Sequence, residues 1–216
     1  MGWNSFGVRA ENGERTVLVA RHGLTTANEE GIHQNWSPYP LSSAGIAEIE
    51  VAKRWWNRWN ASHYISSPVA RAMDTANRLW GRIDEVDAAW GERAVPAVEG
   101  LTLEEAHRGH PTLLELDGWV SPDAPMNPFV ESRAALDSRV RAALTRAAST
   151  VPEGRVVAVM THGAVLASIL SIPAGVDSPG LPEKPVRCGN LAVLEVGVDP
   201  VKWWSVRRRH SPLTSD

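Results

Sequence analysis

The residues with most chemical potential lie where short apolar runs end. In Thr16–Asn28, TVLVARHGLTTAN, the run Val17-Leu18-Val19-Ala20 stops at Arg21-His22-Gly23. A brief β-branched run between polar residues reads as a buried strand. Ligands of open α/β sheets collect beyond the carboxyl ends of strands. A guanidinium, an imidazole and a glycine at such a point suit an anion. The pattern returns where Arg155-Val156-Val157-Ala158-Val159-Met160 leads into Thr161-His162-Gly163. A third strand, His63–Ser66, runs into Ser67-Pro68-Val69-Ala70-Arg71, with Pro68 suited to the first turn of a helix through Ala72, Thr75, Ala76 and Leu79. That places Arg71 near the positive end of the helix, where a cation is unfavourable unless it binds an anion.

If these strands are neighbours in a parallel sheet, Arg21, His22, Arg71 and His162 converge on one cationic pocket. Its natural occupant is a phosphoryl group, because guanidinium forks match phosphate oxygens at two points. Helix N-termini after Gly23 and Gly163 would add backbone N–H donors. The two imidazoles could also hold zinc, but the adjacent guanidiniums would repel a dication.

The remaining elements must position these groups. Pro40-Leu41-Ser42-Ser43-Ala44-Gly45 opens a helix that Ser42 or Ser43 can cap. Ile49, Ala52, Trp56 and Trp59 share its apolar face, and Trp55 falls off it. The RWWNRW segment reads as core packing with a rim rather than a stacking platform. A short helix is expected around Leu103–His107 and a longer one over Ser132–Ala148, with Leu136, Val140, Leu144 and Ala147 on one stripe. Asn190–Val196 and Val201–Val206 read as two final strands paired through a turn near Asp199-Pro200. Alternation of strand and helix indicates one α/β domain spanning residues 1–216, with 1–15 as an N-terminal extension. Segments 100–130 and 171–188, rich in Pro and Gly, are expected to form lid or substrate loops.

Bulk properties narrow the function. The net charge of −3 argues against a nucleic-acid partner, so any cationic chemistry must be local. Arg207-Arg208-Arg209 reads as a solvated tail. The single cysteine, Cys188, excludes an internal disulfide or a multi-Cys zinc site and fits a reducing cytoplasm. MGWNSFGVRAENGER has no apolar signal-peptide core, and no run approaches the length of a membrane span. The expected location is therefore cytoplasmic, with no membrane partner.

RHGLTTAN, PLSSAG, SSPVARAMDTA, VEGLTLEEA, VESRAALDSRV and MTHGAVLASIL occur in this order. From Thr16 to about Val196 the chain resembles the histidine phosphatase superfamily, the phosphoglycerate-mutase-like fold. The resemblance implies a three-layer α/β sandwich with a mostly parallel central sheet, helices on both faces and a lid-like insertion. It implies that His22 attacks phosphorus and forms a phosphohistidine. Arg21, Arg71 and His162 would hold the oxygens, helped by Asn28 and the backbone at Gly163. Placing Val98-Glu99-Gly100 on the family's Trp-Glu-Gly makes Glu92 the general acid, with Glu99 and Glu104 as substitutes. The chain departs from the family at Leu24, at Pro38-Tyr39, at Pro96, which replaces a usual glycine, and at Val130.

The implied activity is that of a metal-independent phosphomonoesterase acting on a small-molecule phosphate ester without a cofactor. A phosphoglycerate-mutase-type phosphotransferase and a non-catalytic phospholigand-binding protein are the competing readings. Specificity is assigned to the two loops and Trp36. Oligomeric state is open, with a homodimer in view.

Overall fold

Alternate side chains of the first strand, β1 (Arg15–Arg21), enter different apolar clusters. Val17 and Val19 join one, Leu18 and Ala20 the other, and all four are buried. The computed structural model describes residues 15–115, 120, 129–171, 187–199 and 203–213. The expected extension before residue 15, residues 116–119 and 121–128 of the first expected loop, residues 172–186 of the second and Pro200 in the expected turn lie outside the described residues.

After β1 the chain forms α1 (Thr26–Glu29), α2 (Ser43–Trp56), β2 (Ala61–Ser66), α3 (Ala70–Trp80) and β3 (Glu85–Val86). It continues through α4 (Leu103–Gly109), α5 (Arg133–Ser149), β4 (Val156–Thr161), α6 (Gly163–Ser171), β5 (Val193–Asp199) and β6 (Trp203–His210). Ile49 and Ala52 of α2 pack with Ala72 and Ala76 of α3 in the cluster that takes Leu18 and Ala20. Leu136, Val140 and Leu144 of α5 and Val165 and Leu166 of α6 pack in the other.

The sheet has six strands in the order β3-β2-β4-β1-β5-β6. It is mixed, not mostly parallel: β3, β2, β4 and β1 pair in parallel, whereas β5 runs antiparallel to both β1 and β6. The short link between β5 and β6 explains part of this, since parallel neighbours need a long crossover. On the other side of β1, the crossovers through α2, α3 and α5 provide that length. The strands holding the candidate residues do adjoin in parallel, β1 against β4 and β4 against β2.

Local signals explain several boundaries. Ser42 caps α2, its Oγ accepting from Gly45 N at 3.1 Å. Gly45 is required by close approach, because a Cβ there would lie 2.1 Å from Leu24 O. The α2 helix therefore rests directly on the loop that follows His22. Pro68 precedes α3 rather than opening it, and Arg71 is the second helical residue. Trp55, expected off the core face, is buried edge-on against Trp56 with ring centroids 5.2 Å apart. Trp59 lies beyond the end of α2 and is partly buried. Arg207-Arg208-Arg209 is not a tail: it belongs to β6, with Arg208 opposite Glu195 and Arg209 opposite Leu194. Among the described residues no helix is long and apolar enough to cross a membrane.

Candidate active site

The parallel register brings the strand ends together. Arg21 lies opposite Thr161 across β1 and β4, so His22 and His162 both follow directly from paired positions. Their ring centroids are 5.2 Å apart, and both residues are buried. Arg71 reaches the same point from α3, its Nε donating to His22 Nε2 at 3.1 Å. Of the four groups expected to converge, Arg21, His22 and Arg71 line one cleft, and His162 packs against His22 without lining it.

Hydrogen bonds fix the state of His22. Its Nδ1 lies 2.8 Å from Gly23 O, an acceptor with no proton to give. Nδ1 therefore carries the hydrogen, and Nε2 keeps its lone pair. The Arg71 Nε–H points at that lone pair. Burial foremost, then the charges of Arg71 and Arg21, hold the His22 pKa well below the ordinary 6.5. His162 is likewise held well below 6.5, first by burial and then by Arg71, His22 and Arg21. Both imidazoles are neutral at physiological pH. Burial lowers Arg71 to about 10 while the Glu92 carboxylate opposes the shift, so it stays a cation.

The backbone around these groups is braced by residues of the motifs. Thr75 Oγ1 accepts from Gly23 N at 3.0 Å and donates to Arg71 O at 2.7 Å, tying α3 to the turn after His22. Arg71 Nη2 donates to Asn35 O at 2.7 Å and Nη1 to Ser37 O at 3.3 Å. Arg21 Nη1 donates to Cys188 O at 2.6 Å. Arg21 Nε and His162 Nδ1 are buried with no hydrogen-bond partner among the described residues.

A cleft of about 240 Å³ opens over this floor. Arg21, His22, Asn28, Arg71, Glu92 and Gly163 line it, and Ile32, Val95, Val98, Leu114 and Val120 give it apolar wall. His162 lies behind the lining, against His22 and Ser67. Asn28 Oδ1 accepts from Thr25 N at 3.3 Å and Asn190 Nδ2 at 3.1 Å, which leaves its own Nδ2 as the donor. The expected backbone donors fare less well. Gly23 N is engaged by Thr75, and Ala164 N at the start of α6 donates to Glu92 Oε1 at 3.3 Å.

The three carboxylate candidates separate. Glu92 lines the cleft, with Oε1 also accepting from Arg93 N at 2.8 Å. Glu99 is turned to Ser37 N at 2.7 Å and is not part of the lining. Glu104 is exposed on α4 and paired with Arg108 at 2.6 Å. Trp36, assigned to specificity from sequence, lies outside the lining; its Nε1 donates to Glu92 O at 3.0 Å.

Sequence reasoning missed two further residues. Asn190 Nδ2 lies 3.1 Å from each of His22 O, Gly23 O and Asn28 Oδ1, so one amide holds the whole turn. Ser67 Oγ lies 2.7 Å from His162 Nε2 and accepts from Val69 N at 3.2 Å. Ser67 stands in a motif and could have been noted; Asn190 was read as the start of a strand, but β5 begins only at Val193, which leaves Asn190 in the turn before it.

Two buried imidazoles and the guanidiniums of Arg21 and Arg71 thus gather at the ends of adjoining strands in an α/β fold. The pattern of the histidine phosphatase superfamily (branch 1) matches residues 17–210, and the chain belongs to that superfamily. Among solved structures, Bacillus stearothermophilus YhfR aligns over 93% of this chain and 100% of its own, with a TM-score of 0.78 and 24% identity. A mycobacterial glucosyl-3-phosphoglycerate phosphatase aligns over 90% and 97%, with a TM-score of 0.71 and 21% identity. A phosphoglycerate mutase from Bacillus anthracis str. Sterne aligns over 90% and 92%, with a TM-score of 0.71 and 18% identity. At these identities the likeness is one of fold.

Proposed function

We propose that the protein is a metal-independent phosphomonoesterase that works through a phosphohistidine on His22. One observation carries the reading: the unprotonated Nε2 of His22 sits 3.1 Å from Arg71 Nε, within a buried cationic floor. A nucleophile with an unprotonated nitrogen and cations beside it is what in-line attack on phosphorus needs.

In the first step His22 Nε2 forms a bond to phosphorus as the ester P–O bond breaks. Arg71 shifts its Nε–H from the lone pair to a phosphoryl oxygen, Arg21 and Asn28 Nδ2 take others, and His162 backs His22 from behind the cleft lining. Charge building on those oxygens is met by donors already in place, which is usually the main source of rate enhancement in such reactions. Glu92, having taken up a proton from solvent, gives it to the departing alkoxide and is left as the carboxylate. In the second step the Glu92 carboxylate removes a proton from water as that water attacks phosphorus. The N–P bond breaks, and phosphate and neutral His22 are regenerated. The apolar wall of the cleft accepts the organic part of the ester.

Phosphate release from 4-nitrophenyl phosphate, with and without chelator, tests the reading. Equal rates are expected, and loss of activity in EDTA would overturn it. Offering phosphoglycerates and comparing free phosphate with isomerised ester separates hydrolysis from mutase activity.

A further inference from the structure

Glu92 sits on a loop with little regular structure of its own, between the short 3₁₀ turn Ala88–Trp90 and a second at Pro96–Val98. A general acid must be held closely, since a misplacement of about 1 Å costs on the order of 10²-fold. The structure assigns this task to an ion pair outside the cleft. We infer that Glu131 and Arg139 are positioning residues for the acid, an inference that rests on the phosphatase reading above.

The geometry is that of a clamp. Arg139, on α5, forms a two-point bridge to Glu131, Nε to Oε1 at 2.6 Å and Nη2 to Oε2 at 2.8 Å. The same guanidinium donates through Nη1 to Ala89 O at 2.8 Å and through Nη2, more weakly, to Glu92 O at 3.4 Å. It therefore grips the acid loop on both sides of Trp90. Glu131 closes the circuit through its backbone: its N–H donates to Ala94 O at 2.8 Å, and its carbonyl accepts from Arg93 Nε at 2.9 Å. The loop from Ala89 to Ala94 is thus fastened to the start of α5 by hydrogen bonds and an ion pair centred on two side chains. Both side chains are mostly buried, at 16% and 23% exposure, and neither lines the cleft. A bidentate fork that also serves two carbonyls cannot be reproduced by an ammonium, although the charge can.

The preserved charge makes Arg139→Lys the informative variant, because Arg139 also contributes slightly to holding His162 neutral. The measurement is kcat/KM, which reports formation of the phosphoenzyme, on two esters. 4-Nitrophenolate leaves without a proton, so its ester does not need the acid. The alkoxide of n-butyl phosphate does need it. For Arg139→Lys we expect kcat/KM to fall about 30-fold for the butyl ester and by less than about threefold for the aryl ester. Inhibition by inorganic phosphate should not change. Glu131→Gln should show the same asymmetry, and Glu92→Gln should show it more strongly. Equal losses on both esters in the Arg139 and Glu131 variants, or no loss on either, would overturn the inference while leaving the phosphatase reading standing. A wild-type protein that releases phosphate from neither ester would overturn both. Should Arg139→Lys fail to fold, the Glu131→Gln ratio decides alone.

Discussion

The molecule buries imidazoles in two contrasting settings on one sheet. At the carboxyl ends of β1 and β4, His22 and His162 face guanidiniums and stay neutral. On β6, His210 faces a carboxylate: its Nε2 lies 3.1 Å from the buried Glu195, and its ring is packed against Trp55 and Trp59 at 5.0 and 6.1 Å. The first setting keeps an electron pair available for chemistry. The second joins a strand to the tryptophan cluster below it. Histidine is common to both, and its neighbours decide what it does.

The contrast can be broken most severely at the nucleophile. His22→Ala should reduce phosphate release on the order of 10⁵-fold, as removal of a covalent nucleophile does. Arg71→Ala should cost about 3 kcal/mol of transition-state stabilisation, read as a fall of roughly 10²-fold or more in kcat. Next comes acid. The folded pKa values of His22 and His162 lie below 6.5, so below that pH the unfolded chain takes up protons that the folded protein refuses. The stability tied to these two groups is whole above pH 6.5 and is lost as pH falls toward their folded values, by about 1.4 kcal/mol per pH unit for each histidine. Urea midpoints between pH 7 and 5 should show a shallower slope for His162→Gln than for wild type. The smallest effect belongs to the other setting. Glu195→Ala should cost about 1–2 kcal/mol of stability in a urea titration and leave kcat unchanged.

The cationic floor was legible because strand ends mark themselves: a β-branched run that stops at Arg-His-Gly or His-Gly states both an element and its exit. Arg71 was legible from its unfavourable place at a helix N-terminus. The braces were not. Asn190 lies 168 residues from His22, and nothing in a lone Asn before a strand says which carbonyls it will meet. Glu131 and Arg139 both stand in the motif VESRAALDSRV, but they act on carbonyls, which carry no sequence signature, so the motif did not say what they hold. The antiparallel β5–β6 pair was legible from the short link near Asp199-Pro200, whereas the sense of β5 beside β1 was hidden, because the β5 residues would suit either. Three consecutive arginines resembled a tail because β6 lacks apolar alternation there; its ladder with β5 supplies what the side chains do not.

Arg71 has one more consequence. Its two terminal nitrogens are fastened to Asn35 O and Ser37 O while its Nε donates to His22 Nε2, so one planar group links a turn to the buried imidazole. Asn35 holds a positive φ of 42° in that turn, a conformation asparagine tolerates better than most residues. In the proposed function, holding the turn and holding the anion draw on the same guanidinium. On that reading, a substitution that loosens residues 35–37 should weaken inhibition by inorganic phosphate, and by reciprocity bound phosphate should protect those residues to the same extent.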